Sequence, residues 1–452
     1  MTYNRGDVMK KVDLTQGRVV SVLMTLALPI MGSSVLQLTY NLVDMLLVGA
    51  LGSEAVASIG TSSFLIGIAN SLQACVVIST GILVSHAIGR QDFEAQKKYL
   101  SVGFRLNLIV GLFFAIFTAL VGKSFISFLN VQNEAVEAQG YAYLLVSSPM
   151  LVFSFFNFWY TRVYNSFGQN KMAFKISTIG VILNLILDPI FIYLFKLGVL
   201  GAGLATLIAN VVMTICFYLK SRTLFELDYQ TNYKKEDYFK MIRLGFPMSS
   251  QRVLFTVVNI LLAKMITTFG TEAIAAQKIG LQIESITYMV IGGLNGAIAS
   301  FVGQNFGAKA FERIKQGVRV AMGIGIVYAL ITTVVFLVVP EQLAHCFVRE
   351  EETIKITANY LRIVGVTQVF MAVEIICNGV FVGLGMPKIP ATISVIFTAA
   401  RLPMAWLFIQ GFGVNGIWIS ISVSMLLKGV VALSVYRRKE KEGILNVTTI
   451  KA

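Results

Sequence analysis

Long runs almost free of charge constrain this chain more than any other feature. VVSVLMTLALPIMGSSVLQLTYNLVDMLLVGAL (19–51) and VAMGIGIVYALITTVVFLVV (320–339) each exceed the length needed to cross a bilayer, which is about 20 apolar residues. Inside hydrocarbon every backbone N–H and C=O must find a partner within the protein, so such runs become helices or strands of a closed barrel. They are continuous rather than alternating, which selects helices. Only 13% of the 452 residues are charged and 56% are hydrophobic. Soluble domains carry about a quarter charged residues. The chain reads as an all-α polytopic membrane protein.

Twelve spans are expected, at 21–49, 56–86, 99–122, 137–163, 173–195, 199–220, 243–268, 272–304, 317–339, 355–383, 389–411 and 414–436. Alternate loops differ in charge. One side holds RQDFEAQKK, GQNKMAFK, the segment KSRTLFELDYQTNYKKEDYFKMIR, GAKAFERIK, MPK and RRKEKEG. The other holds LGSEA, NVQNEAVEAQ, KLGVLG, FGTEA, VREEET and QGFGVNG. Lysine and arginine gather on the first side, which places it and both termini in the cytoplasm. The net charge of +14 therefore reflects loop asymmetry, and nucleic acid is not the expected partner. The polar start, MTYNRGDVMKKVDLTQGR, leads into a full-length span, so no cleavable signal is expected. Cys75, Cys216, Cys346 and Cys377 are isolated, and His86 and His345 lie far apart, so neither disulfides nor a transition-metal site is expected.

The longest polar stretch divides the spans six and six. It sets an N-lobe at 1–224, a cytoplasmic linker at 225–242 and a C-lobe at 243–452. An internal repeat supports the division. With a shift of 218, Pro29 meets Pro247, Asn41 meets Asn259, Gly52 meets Gly270 and Gly89 meets Gly307. With a shift of 217, Tyr143 meets Tyr360 and Gly168 meets Gly385. Each half has an even number of helices, so both enter the membrane in the same sense, as pseudo-two-fold partners about the membrane normal. Transporters place substrate between such halves.

Polar residues inside the spans mark the candidate chemistry. Gln37, Asn41 and Asp44 share one helix face, as do Asn184 and Asp188. An ionised aspartate at mid-helix costs about 2.5–3.5 kcal/mol and usually faces the bundle interior. Two carboxylates in low dielectric resist both being ionised, and they equally suit a small hard cation. The competing reading is a satisfied polar bridge between helices. Across the repeat, Asp44, Asn184 and Asp188 become Leu262, Arg401 and Ala405, so this acidic cluster belongs to the first half alone. Pro189 removes a backbone donor and frees the carbonyl of Leu185, and Pro29 acts similarly in the first span. The second half carries Lys278, Gln282, Glu284, Glu374 and Arg401, where internal charge pairing is expected; Glu284 and Glu374 are secondary acidic candidates. FSFFNFWY (153–160), with Tyr40, Phe64, Met150 and Tyr288, either lines a cavity for flat cations or packs against neighbours. Gln37, Asn41 and Gln282 complete the candidate substrate cavity.

These residues resemble the multidrug and toxic compound extrusion (MATE) transporters, most nearly their bacterial DinF-like branch. The likeness runs from ALPIMGSSVLQLTYNLVDMLLVGALGSEAVAS, through NLILDPIF and GVLGAGLAT, to AIAAQKIGLQIESITYMVIGGLNGAIASFVGQNFGA and GVFVGLGMPK. It implies twelve helices in two six-helix lobes forming a V, in the plasma membrane of a prokaryote. It implies a monomer that exports amphipathic, often cationic, organic compounds in exchange for H⁺ or Na⁺. It also implies that Asp44, Asn184, Asp188 and Thr206 form the ion or proton site and that the first helix bends at Pro29. Another branch, NorM-like, carries two acids in the second lobe where this chain has Phe255 and Met371, so the resemblance puts coupling in the first lobe. No GxxxxGK[ST] stretch is present and no cofactor is expected, nor a membrane-embedded enzyme, since no nucleophile or metal cluster appears. The alternative is a lipid or lipid-linked oligosaccharide flippase of the same superfamily. It would need a cationic cavity, for which only Arg401, Lys278 and Arg162 are available.

Overall fold

In a computed structural model, residues 13–128 and 133–444 are described. The extreme termini, whose cytoplasmic side the loop charges assign, and residues 129–132 lie outside the described residues. Among the described residues the chain is helical, with no strand. The helices are α1 (Val19–Gly49), α2 (Ser53–Gly89), α3 (Phe93–Phe128), α4 (Glu134–Ser166), α5 (Asn170–Pro189), α6 (Gly198–Ser221) and α7 (Lys235–Ile266). They continue with α8 (Thr271–Gly307), α9 (Phe311–Val338), α10 (Pro340–His345), α11 (Glu351–Gly365), α12 (Gln368–Gly383), α13 (Lys388–Ala399), α14 (Arg401–Phe412) and α15 (Val414–Lys441). Eleven described helical segments are long and apolar enough to cross a membrane, and the bent pair α11–α12 makes a twelfth.

The tenth span differs from a single rod over 355–383. It breaks between α11 and α12 with a 56° bend. The cause is local. The Thr367 hydroxyl bonds the Val364 carbonyl at 3.1 Å and the Ser422 hydroxyl at 2.9 Å, and the Gln368 amide reaches the Val364 carbonyl at 3.4 Å. The Val364 carbonyl also accepts the Thr367 N–H at 3.1 Å, so side-chain donors supplement the backbone where the helix ladder is interrupted. The fifth span also changes pitch. After Pro189 one π-helical turn, Ile190–Leu194, follows, and the Phe195 N–H reaches the Ile190 carbonyl at 2.9 Å. Proline has no N–H for the Leu185 carbonyl, and beyond this interruption the ladder resumes with the wider π spacing.

The repeat is visible in the backbone. Left-handed φ values recur at Gly52 and Gly270 (108° and 99°), Gln91 and Lys309 (57° and 58°), Gly168 and Gly385 (72° and 78°), and Gly198 and Gly413 (53° and 56°). A β-carbon on Gly201 would lie 2.7 Å from the Phe191 carbonyl, and one on Gly416 would collide with the Phe408 carbonyl, the same contact one repeat later.

Two compact units result. One holds Gly32–Ser249, the other Leu14–Met31 with the described chain from Ser250 onward. Each changeover falls three residues beyond a repeat proline, from Pro29 to Gly32 and from Pro247 to Ser250. The first unit is cored by Trp159, Tyr160, Tyr164 and Phe217, with the Tyr160 and Phe217 rings stacked at 5.5 Å. FSFFNFWY therefore packs mostly into this core: Phe155, Phe156, Trp159 and Tyr160 are buried, and only Phe158 of its aromatics is largely exposed. The second unit is cored by Trp418, Tyr360, Phe301 and Phe381.

The segment before α7 is docked on α3. Leu224 and Phe225 are buried. The Arg105 guanidinium donates to the carbonyls of Thr231 at 2.9 Å and Asp228 at 3.0 Å, and the Asp228 N–H donates to the Ser101 hydroxyl at 2.8 Å. The half-buried Asp228 accepts through its carboxylate from the Thr231 hydroxyl and the N–H groups of Thr231 and Gln230, which holds its pKa well below the usual carboxylate range.

Two predictions follow from this packing. Gly201→Val and Gly416→Val should each lower stability by about 1–3 kcal/mol, read as thermal unfolding in detergent, whereas Gly323→Ala, with nothing within 4 Å, should not. Because the Asp228 pKa is depressed on folding, its contribution is present above the ordinary carboxylate pKa and lost as pH falls through the folded value. Asp228→Ala should make residues 226–234 cleave faster in limited proteolysis at neutral pH.

Candidate functional site

Asn184 and Asp188 lie one turn apart on α5, and both are buried, Asp188 completely (0% exposed). Their common helix face turns them toward α6. The Asn184 amide donates to Asp188 Oδ1 at 3.2 Å and to Thr206 Oγ1 at 3.4 Å. The Thr206 hydroxyl donates to the Ala202 carbonyl at 3.0 Å. That leaves Tyr40 Oη, 3.4 Å away, to donate to Thr206. Asp44 is half-buried on α1, and among the described residues its carboxylate forms no ion pair. It is the charged neighbour that acts on Asp188, and both acids act on Tyr40 and Tyr143. Asn184, Asp188, Thr206 and Tyr40 are thus joined by hydrogen bonds in the first unit, and Asp44 acts on them electrostatically.

Two features give the spot its character. Asp188 Oδ2 and Asn184 Oδ1 are buried and have no hydrogen-bond partner among the described residues. Among the described residues, no lysine, arginine or histidine forms an ion pair with Asp44 or Asp188. A buried carboxylate oxygen with no donor is costly. A proton on Asp188, or a small hard cation held by the Asp44 carboxylate, Asp188 Oδ2, Asn184 Oδ1 and Thr206 Oγ1, removes that cost.

Behind Thr206 a polar ladder continues. The Asn210 amide donates to the Thr206 carbonyl at 2.9 Å, the Asn157 amide to Asn210 Oδ1 at 3.0 Å, and the Thr214 hydroxyl to Asn157 Oδ1 at 2.9 Å. Asn157 and Asn210 escaped the sequence reading. Their signal was two amides inside otherwise apolar spans.

The remaining candidates scatter. Gln37 donates to Asn41 at 3.1 Å on an exposed face of α1. Phe64 is about half exposed, and Met150 is buried. Pro29 lies within α1, and Pro189 ends α5.

In the second unit Gln282 is half-buried and Tyr288 partly exposed. Glu284 accepts from the Tyr360 hydroxyl at 2.8 Å and the Gln368 amide at 3.3 Å. Those donors lie on opposite sides of the bend between α11 and α12. Glu374 accepts from the Ser394 hydroxyl at 3.1 Å and lies 3.9 Å from the Lys428 ammonium. The expected internal pairing therefore exists, but Lys428 provides it; Lys278 is exposed.

Paired six-span repeats are an architecture of membrane transporters. The chain belongs to the MatE family, whose family model matches residues 29–190 and 247–407, one stretch in each half. It is thus a multi-pass membrane transporter, not an enzyme. A relative in Thermotoga maritima, "Probable multidrug resistance protein NorM", is 24% identical over 95% of both chains. "Multidrug export protein MepA" of Staphylococcus saprophyticus is 23% identical over 91% of this chain and 92% of its own. The structure of the Vibrio cholerae MATE transporter VcmN in the bent form has a TM-score of 0.88 at 24% identity, covering 94% of this chain and 98% of that one.

If Asn184 is the donor that makes the buried Asp188 tolerable, Asn184→Ala should cost about 1–3 kcal/mol. Adding Asp188→Asn should recover part of the loss. Additive losses in a double-mutant cycle of thermal stability would show that the two side chains act independently.

Proposed function

We propose that this protein is a multidrug efflux antiporter, exporting amphipathic, often cationic, organic compounds in exchange for H⁺ or Na⁺ taken up at Asp44 and Asp188. One observation carries the reading: a fully buried carboxylate with an orphaned oxygen, in the field of a second acid and with no basic partner among the described residues. The names of the relatives, multidrug resistance and multidrug export, support the choice of cargo.

The cycle is alternating access in the cytoplasmic membrane of a prokaryote, by a monomer with both termini inside. In one state the acids are loaded by proton or sodium ion, and the buried charge is neutralised. In the other they are empty and available to offset a cationic substrate. A ligand shifts such an equilibrium only through its different affinity for the two states, and the orphaned oxygen of Asp188 is the group whose satisfaction differs most between loaded and empty. Asn184 positions Asp188, and Thr206 adds an oxygen. Tyr40, on the same hydroxyl, links the site to the face of α1 that carries Gln37 and Asn41. Pro29 and Pro189 supply interruptions at which the helices bend.

Purified protein in liposomes, loaded with ethidium, should release it when a pH gradient or a Na⁺ gradient is imposed alone, and one of the two should suffice. Asp44→Asn and Asp188→Asn should each abolish that driven release while leaving the protein folded. Release that ignores both gradients, or variants that transport at the wild-type rate, would overturn the assignment.

A further inference from the structure

The second unit contains a counterpart of the ion pocket, and the two differ in how their charge is balanced. Tyr360 is the repeat partner of Tyr143, and Arg401 is the repeat partner of Asn184. The carbonyls of Phe191 and Phe408, which meet Gly201 and Gly416 in the same way, are related by the same offset as Asn184 and Arg401. Tyr143 lies in the field of Asp44 and Asp188; Tyr360 bonds Glu284. Around the first tyrosine there are two acids and no paired base. Around the second are one acid, Glu284, and one base, Arg401; a second acid and base, Glu374 and Lys428, pair with each other in the same unit, and all four are buried (1%, 4%, 8% and 4% exposed).

Arg401 is placed to serve as a cation. Its Nε donates to the Ser424 hydroxyl at 3.0 Å, and that hydroxyl donates onward to the Phe397 carbonyl at 2.8 Å. Its guanidinium lies 5.9 Å from the centre of the Phe255 ring. It acts electrostatically on Glu284 without a hydrogen bond between them. Lys428 stands 3.9 Å from Glu374.

We propose that Arg401 and Lys428 are built-in counter-ions: they fill, in the second unit, the role that an external ion or proton fills in the first. A buried acid must be neutralised. Where the chain supplies the cation covalently, the acid has no need of one from solution, and the unit stays permanently in its loaded form. Exchange with the gradient is then confined to the first unit. The inference rests on the coupling role proposed for Asp44 and Asp188, but its test does not need that role to be right.

The test uses full-length protein carrying Asp44→Asn and Asp188→Asn, which silences the first pocket. Equilibrium binding of tracer Na⁺ and of guanidinium ion, the two probes, is measured by dialysis. This background should bind neither saturably. Adding Arg401→Asn should create one saturable cation site, and further adding Glu284→Gln should abolish it. Arg401→Lys, which keeps a tethered charge, should bind neither probe. Saturable binding in the background with Arg401 intact, or none of either probe after Arg401→Asn in folded protein, would overturn the proposal. Thermal unfolding in the otherwise wild-type chain covers a failure of Arg401→Asn to fold. Arg401→Gln should lower the midpoint, and Glu284→Gln added to it should recover most of the loss. Losses that simply add would overturn the proposal, whatever the first pocket proves to do.

Discussion

A charge taken out of water must be neutralised, and in a medium of low dielectric that demand is hard to escape. It explains where the polar residues of this transporter lie and what they touch. Backbone groups meet the same demand through helices. Side chains meet it in two ways. Glu374 has Lys428 and Ser394, and Glu284 has two hydrogen-bond donors with Arg401 nearby. Asp188 has one amide donor, a second acid nearby, and an oxygen left over. A buried carboxylate whose neutralisation is incomplete within the chain gains stability from any proton or cation that reaches it.

The same demand accounts for the irregular backbone. Pro189 withholds a donor just after Asp188, and the chain answers with a π-helical turn. In the tenth span the ladder is broken at Thr367, and hydroxyl and amide side chains take up the slack. Glu284 accepts from both pieces, from Tyr360 on α11 and Gln368 on α12, so a single buried carboxylate ties the bend together. In the repeat-related first half, α4 runs unbroken through Pro149, and the corresponding tyrosine, Tyr143, faces acids on other helices. Duplication preserved the frame, including the left-handed turns and the glycine contacts, while the acids moved to different helices in the two copies.

Much of this was legible in the chain itself. Span number, repeat and acidic cluster follow from one-dimensional patterns: apolar length, loop charge, and i, i+4 spacing on a helix face. The gathering of Asp44, Asn184, Asp188 and Thr206 was implied by family resemblance rather than by spacing, since the residues come from three helices. The 56° bend of the tenth span was not legible, because Thr367 and Gln368 are ordinary in composition and act through partners, among them Ser422 and Glu284, that lie far away in the chain. Nor was the fate of FSFFNFWY, whose aromatic residues suit a cavity wall as well as a core.

By itself, then, the sequence determined a helical membrane protein of two related halves, with carboxylates in the apolar spans of each. These are local or periodic properties, and the bilayer admits few other solutions for such runs. Tertiary structure decided which carboxylates are neutralised from within. That depends on the approach of Lys428 to Glu374, of Tyr360 to Glu284, and of Asn184 and Asp44 to Asp188, across helices distant in the chain. An aspartate and a glutamate in apolar runs look alike in a sequence. They differ in how their charge is balanced because electrostatic energy in a low dielectric is set by neighbours a few ångströms away, and only packing chooses those neighbours.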